Sequence, residues 1–306
     1  MIYTCTITPS IDYTAYLPEF HTGALNRSEE VYYYPGGKGI NVSRVLHRLG
    51  YKSIALGFAG GFTGNYLLDA LNSEGITTDF IHIDEITRIN VKIKSENESE
   101  LNGPGPIVNI AEQNKLISKL QYLSKNDWFV LAGSLPNTLQ DSFYQNIAKI
   151  CHDKGVHFVL DTSGPSLKKL IQTQPFLIKP NKQELGELFD TNITDKQDVI
   201  FYAKKLVENG IKHVIVSLGG EGAILVTKDL VLSADAPEGN VVNTVGAGDS
   251  LVSGFIASYN ERSDIKEAFR FGIAAGSATA FKTDLCEQKD VIDLLPQVKI
   301  STINKE

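Results

Sequence analysis

Cysteine is scarce in this chain, and the three present (Cys5, Cys151 and Cys286) are odd in number with no C-x-x-C spacing. Neither a disulfide framework nor a structural zinc site is expected, and a reducing cytoplasm is the natural setting. Positive charge is short as well. With 29 Lys and Arg against 36 Asp and Glu, the net charge of −7 leaves no basic face for nucleic acid or an anionic membrane. Any anion must be held by a few placed cations and backbone N–H groups. No run approaches the roughly 20 apolar residues of a membrane span, and the first residues lack a charged leader region. The six histidines have no metal-ligand spacing. Two nucleotide fingerprints are also missing. The P-loop fails because Gly39 follows Lys38, and G-x-G-x-x-G fails because Leu251 stands where a third glycine would complete Gly246 and Gly248. That disfavours a nicotinamide dehydrogenase.

What is there is globular: 42% of 306 residues are hydrophobic and 21% charged, enough for a sizeable core. Ile2 to Ile7 and Ser53 to Ala59 read as strands. Val42, Val45, Leu46 and Leu49 share one helical face, closed by Gly50. A helix is predicted over 64–74 with Thr63 as N-cap. Helices near 111–124, 139–153, 166–173 and 195–209 alternate with strands at 127–132, 156–161, 176–179 and 213–218. This pattern predicts an α/β fold with a mostly parallel sheet between helices. A hairpin (223–233), a Gly-rich turn (246–248) and two Ala- and Gly-rich helices follow. Two alternating regions, near 11–35 and 88–102, interrupt the run and are expected to pair as a small β-sheet lid on a single domain spanning 1–306.

In such sheets ligands sit beyond the carboxyl ends of the strands, where several polar clusters fall here. In Asn243-Thr244-Val245-Gly246-Ala247-Gly248-Asp249, the small residues let backbone N–H groups converge at a helix start, an anion nest beside a carboxylate. Asp249 is then either a proton acceptor or an ordinary helix-start acid. Gly36-Gly37-Lys38-Gly39-Ile40-Asn41 allows close approach to a polar ligand, with Lys38 for a phosphate and Asn41 for hydroxyls, or is simply a flexible turn. Asn181 and Glu184 share a helix face, suiting Mg²⁺ through its waters or a capping pattern. Ser217-Leu218-Gly219-Gly220-Glu221-Gly222 suits a nucleotide or a hairpin turn. Asp12, Arg27, Arg88 and Ser134 lie in or beside the lid regions or after a strand, with ligand-binding and plain surface readings both open.

Taken together, Gly36 to Ser43, Thr244 to Asp249 and the N-x-x-E run Asn181 to Glu184 resemble the PfkB (ribokinase-like) carbohydrate kinases, in order and spacing, along essentially the whole chain. The resemblance implies a ribokinase-like three-layer fold and ATP-dependent phosphoryl transfer. Gly57 to Gly64, Thr87 to Lys92 and Asn102 to Pro106 are similar to the kinases of ketose phosphates, fructose 1-phosphate first and tagatose 6-phosphate next. By this likeness Asp249 is the base and Gly246, Ala247 and Gly248 the anion hole. Asp12, Arg27, Gly37, Lys38, Asn41, Arg88 and Ser134 bind the sugar phosphate. Lys179, Ser217, Gly219, Gly222, Thr244, Gly276 and Ser277 bind ATP, and Asn181 and Glu184 attend Mg²⁺. A homodimer through the lid is also expected. A non-catalytic sugar-phosphate sensor is the rival of a different class. Asn243 departs from the family, which often has Asp there; Asn still bonds locally in such a turn.

Overall fold

The computed structural model describes residues 1–136 and 138–303. In chain order the elements are β1 (Ile2–Thr6), β2 (Ser10–Tyr16), β3 (Glu30–Gly36), α1 (Lys38–Arg48), β4 (Ser53–Gly60) and α2 (Gly61–Ser73). Next come β5 (Thr77–Thr78), β6 (Ile81–Ile83), β7 (Arg88–Lys94), β8 (Ser99–Asn102), α3 (Ile110–Leu120), β9 (Trp128–Ala132) and α4 (Asp141–Asp153). Then follow β10 (His157–Asp161), α5 (Gly164–Leu170), β11 (Leu177–Ile178), α6 (Lys182–Leu188), α7 (Lys196–Glu208), β12 (His213–Ser217), β13 (Ala223–Val226) and β14 (Val231–Ala234). The chain closes with α8 (Ala247–Arg262), α9 (Ile265–Ala280), α10 (Gln288–Leu294) and β15 (Ile300–Thr302).

The central sheet runs β15-β14-β13-β12-β11-β10-β9-β1-β4-β5, with β6 also on β4. It is parallel from β12 to β5 and antiparallel from β12 to β15. Strands buried on both faces lose the polar alternation of a half-exposed strand, and Trp128-Phe129-Val130-Leu131-Ala132 shows it. Phe129 and Leu131 enter one core, packed by Leu116, Phe143, Ile147, Leu185 and Val199 of α3 to α7. Trp128, Val130 and Ala132 enter the other, packed by Val45, Leu46, Val252, Phe255 and Phe269 of α1, α8 and α9. Each fully buried Leu or Phe contributes about 1.5–3 kcal/mol over an exposed one.

The second sheet, β3-β2-β7-β8, is the predicted lid. Its β2 pairs antiparallel with β3 and parallel with β7. Val31, Tyr32, Tyr33 and Tyr34 of β3 are exposed, with Tyr32 and Tyr34 stacked at 6.0 Å.

Two boundaries differ from expectation. Helix α2 begins at Gly61 with Gly60 as N-cap, not Thr63. Thr63 is buried and its hydroxyl donates to the Thr87 carbonyl, tying α2 to the start of β7 rather than capping its own helix. Helix α1 starts at Lys38, four residues before Val42 opens the apolar stripe, because Gly37 adopts φ 124° and turns the chain out of β3. A side chain at 37 would also meet Thr6 Cγ2 at 2.6 Å.

Candidate active site

The parallel strands end along one edge, and most of the ligand-facing residues stand there. Thr6 ends β1 and Thr8 follows it, Gly133 and Ser134 follow β9, Lys179 follows β11 and Ser217 ends β12. With the lid and the first turns of α1 and α8 they line a cleft of about 570 Å³. Asp12, Gly37, Lys38, Asn41, Arg88, Ser134, Lys179, Asn181, Glu184, Ser217, Thr244, Gly246, Gly248 and Asp249 all border it.

Asp249 sits in the first turn of α8 and is 5% exposed. Helix α8 is pressed against α9 by glycines: a Cβ at Gly254 would meet Ala275 Cβ at 2.8 Å, and one at Gly272 the Leu251 carbonyl at 2.8 Å. Asp249 Oδ2 accepts a hydrogen bond from Asn41 Nδ2 at 2.8 Å. Burial, then the charge of Asp161, push its carboxyl up to about 6, against Lys38, the Asn41 bond and Lys179. The expected base therefore holds its proton far more readily than a surface aspartate.

The helix start beside it is open. Gly246 adopts the left-handed φ of 81°, and α8 has no side-chain cap. Among the described residues, Ala247 N–H is taken by the Thr244 carbonyl at 3.2 Å, whereas the amides of Gly246, Gly248 and Asp249 have no such partner. The open donors are thus the amides of 246, 248 and 249, whereas the amide of Ala247, expected in the anion hole, is taken by the turn. A Cβ at Gly248 would lie 2.9 Å from Lys179 Nζ, so the bare glycine is what lets that ammonium approach the nest.

Two lysines meet at Asp161. Lys38 Nζ donates to its Oδ1 at 3.0 Å, and Lys179 Nζ lies 3.6 Å from the same atom. Against burial, Lys179 and Lys38 hold the Asp161 carboxyl below the usual aspartate range, and the Asp161 charge pulls Lys38 upward. On the lid side, Asp12 accepts hydrogen bonds from Ser10 Oγ at 2.8 Å and Asn90 Nδ2 at 3.0 Å and is ion-paired with Lys92 Nζ at 3.1 Å. Arg88 donates to the Gly103 carbonyl at 3.3 Å, and its Nε is buried without a partner. Burial, opposed by Asp12, lowers its pKa.

Asn181 and Glu184 form a reciprocal capping box on α6: Asn181 Oδ1 accepts from Glu184 N–H, and Glu184 Oε2 from Asn181 N–H, both at 2.8 Å. Glu184 Oε1 and the Asn181 amide nitrogen remain. No group of three or more His, Cys, Asp or Glu able to hold a metal occurs among the described residues. One spare carboxylate oxygen fits a hydrated Mg²⁺ that arrives on phosphates, not a caged ion.

Six of the sequence-derived positions, Ala247 among them, fall outside the cleft lining. Arg27 is exposed on the loop between β2 and β3. Gly219 and Gly222 form a short turn before β13, with open space at Gly219. Gly276 is buried on α9, where a Cβ would meet the Ala247 carbonyl at 3.0 Å, so its place is in helix packing; Ser277 beside it is half-buried. Asn243 does bond locally, through Oδ1 to Val245 N–H and through Nδ2 to the Thr283 carbonyl. The motif reading missed Lys92, Asn90 and Asp161, which border or floor the cleft. A lone acid at a parallel strand's carboxyl end is a usable signal for Asp161.

Known proteins match this arrangement over its full extent. The family described as pfkB family carbohydrate kinase matches residues 4–290. The 1-phosphofructokinase of Bacillus subtilis is 47% identical over 99% of this chain and 100% of its own length. The D-tagatose-1-phosphate kinase of Bacillus licheniformis is 35% identical over 98% and 99%. The crystal structure of phosphofructokinase-2 from Escherichia coli in complex with fructose-6-phosphate superposes with a TM-score of 0.91 at 30% identity, covering 96% of this chain and 98% of that one. The chain belongs to the pfkB family of carbohydrate kinases.

Proposed function

We propose that this ATP-dependent sugar-phosphate kinase transfers the γ-phosphoryl group of ATP to O6 of fructose 1-phosphate, giving fructose 1,6-bisphosphate. One observation carries the chemistry: a buried carboxylate with a raised pKa stands beside unpaired amides at the start of α8, facing a cleft lined with cations. Phosphoryl transfer asks for alignment and charge stabilisation more than covalent work. Asp249 orients the attacking hydroxyl and accepts its proton as the P–O bond forms. The amides of Gly246 and Gly248, with Lys179, stabilise charge on the transferring group. Asp12, Asn41 and Ser134 orient the sugar, and Lys38, Arg88 and Lys92 supply cations for its phosphate. Ser217, Thr244 and Ser277 lie toward the nucleotide. Mg²⁺ carried on ATP would offset phosphate charge, with Glu184 and Asn181 holding its waters.

The choice of fructose 1-phosphate is supported by the greater identity to the relative named for it than to the tagatose-phosphate kinase. The remaining parts of the reading are one catalytic domain carrying lid strands, a homodimer through the exposed tyrosines of β3, and a cytoplasmic setting. The last accords with three buried, free cysteines. No helix among the described residues is long and apolar enough to cross a membrane.

ADP release measured against fructose 1-phosphate, tagatose 1-phosphate, tagatose 6-phosphate, fructose 6-phosphate and free fructose tests the assignment. The highest kcat/KM belongs to fructose 1-phosphate. A preference for a tagatose phosphate replaces the substrate, and binding with no ADP release on any sugar replaces the enzyme with a sensor.

A further inference from the structure

Asp161 closes β10 on the cleft floor, and the chemistry so far gives it no task. It is 1% exposed, both lysines crowd onto Oδ1, and Oδ2 is buried with no hydrogen-bond partner. Burying a carboxylate so incompletely bonded is unfavourable, so its presence calls for a reason beyond stability. The charged groups facing Asp249 are Asp161 from β10, Lys38 from the start of α1 and Lys179 after β11, while Asn41 of α1 gives Asp249 its side-chain hydrogen bond. Both ammoniums are tied to Asp161, and neither forms an ion pair with Asp249.

We propose that Asp161 is a positioning residue for phosphoryl transfer: it tethers Lys38 and Lys179 to the cleft floor and keeps them off the carboxylate of Asp249. The proposal rests on reading Asp249 as the base. Without the Asp161 charge, Asp249 is the strongest anion left facing Lys38, ahead of Glu184, and it faces Lys179 as well. An ion pair there would weaken Asp249 as a base and occupy the oxygen that the sugar hydroxyl must reach. The tether thus keeps two cations available for a phosphoryl group and one carboxylate available for a proton.

The test is the pH profile of kcat and kcat/KM for purified Asp161→Asn against the parent. The substitution conserves volume, and the ionisations of the substrates' own phosphates are common to both proteins, so a difference reports the enzyme. The acid limb is expected to fall by about one pH unit. At pH 8, where Asp249 is ionised in both proteins, kcat drops about tenfold or more. Lys179→Gln, which removes a cation and leaves Asp161 in place, moves the limb the other way and stands alone if Asp161→Asn does not fold. A folded Asp161→Asn whose limb stays at the parental pH overturns the proposal, even if its melting temperature falls, because that is the signature of a purely structural acid. So does Lys179→Gln with an unmoved or lowered limb. Full turnover by Asp249→Asn would instead remove the base assignment beneath it, and the two failures are distinct.

Discussion

Helices α6 and α8 both begin at the carboxyl edge of the sheet and both turn their first residues toward the cleft. Helix α6 closes its amides with its own side chains, the Asn181 and Glu184 capping box. Helix α8 starts from a left-handed glycine with no side-chain cap and leaves three amides unpaired. Orphan amides are unfavourable when buried dry, so proteins cap them unless a ligand is to do it. On the proposed function, the difference separates a terminus built for stability, which keeps only one carboxylate oxygen for a hydrated cation, from one built to receive an anion.

Four substitutions sharpen or break that contrast. The largest effect belongs to Asp249→Asn, with kcat lowered about a hundredfold or more in steady-state turnover. The same variant is expected to be the more stable protein at pH 8. Its parent carboxyl titrates near 6 when folded and about 3.9 when unfolded, so the folded state binds the proton more tightly. The stability contribution of this group is present below pH 4 and lost as pH rises through 6, on the order of 3 kcal/mol by pH 8. Melting curves of the two proteins should therefore converge on acidification, and parallel curves would contradict the burial argument. Gly248→Ala comes next: the new methyl displaces the Lys179 ammonium from the nest, and kcat falls about tenfold with KM for the ketose phosphate little changed. Unchanged turnover in a folded variant would mean that the open terminus holds no phosphoryl group.

At α6 the effects shrink and divide. Glu184→Gln keeps an amide oxygen for the cap but loses charge, so several-fold more Mg²⁺ is needed for half-maximal rate while the melting temperature scarcely moves. Asn181→Ala does the reverse, removing about 1 kcal/mol of stability with a smaller kinetic effect. If Asn181→Ala impaired catalysis more than Gly248→Ala did, the division of labour between the termini would be wrong.

The sheet and most helices were legible because burial on both faces leaves a plain mark. Val214-Ile215-Val216 and Trp128 to Ala132 have no polar alternation, and the stripe of Val199, Ala203 and Leu206 falls on one face of α7. The short strand β15, an edge partner of β14, has no comparable pattern in Ile300-Ser301-Thr302. That Asn41, Gly246, Gly248 and Asp249 border one cleft was legible because small residues at a helix start leave its amides open, whereas Gly219, Gly222 and Gly276 serve a turn and helix packing outside it. Lys92 was not, because on a lid strand the polar face is ordinarily the wet one; here Arg88, Asn90 and Lys92 turn that face to the cleft. Asp161 carries no neighbouring motif, and its meaning comes from two lysines that are distant in sequence.

Asn41 and Asp249 lie 208 residues apart along the chain, yet one hydrogen bond joins them. Ribosomal synthesis therefore completes the half that carries the proposed sugar contacts long before Asp249, the proposed proton acceptor, exists. On that reading a nascent or prematurely ended chain has Asp12, Asn41 and Arg88 in hand but no means of turning over what they would hold. The proposed chemistry begins only when the last third docks and α8 comes to rest against α1.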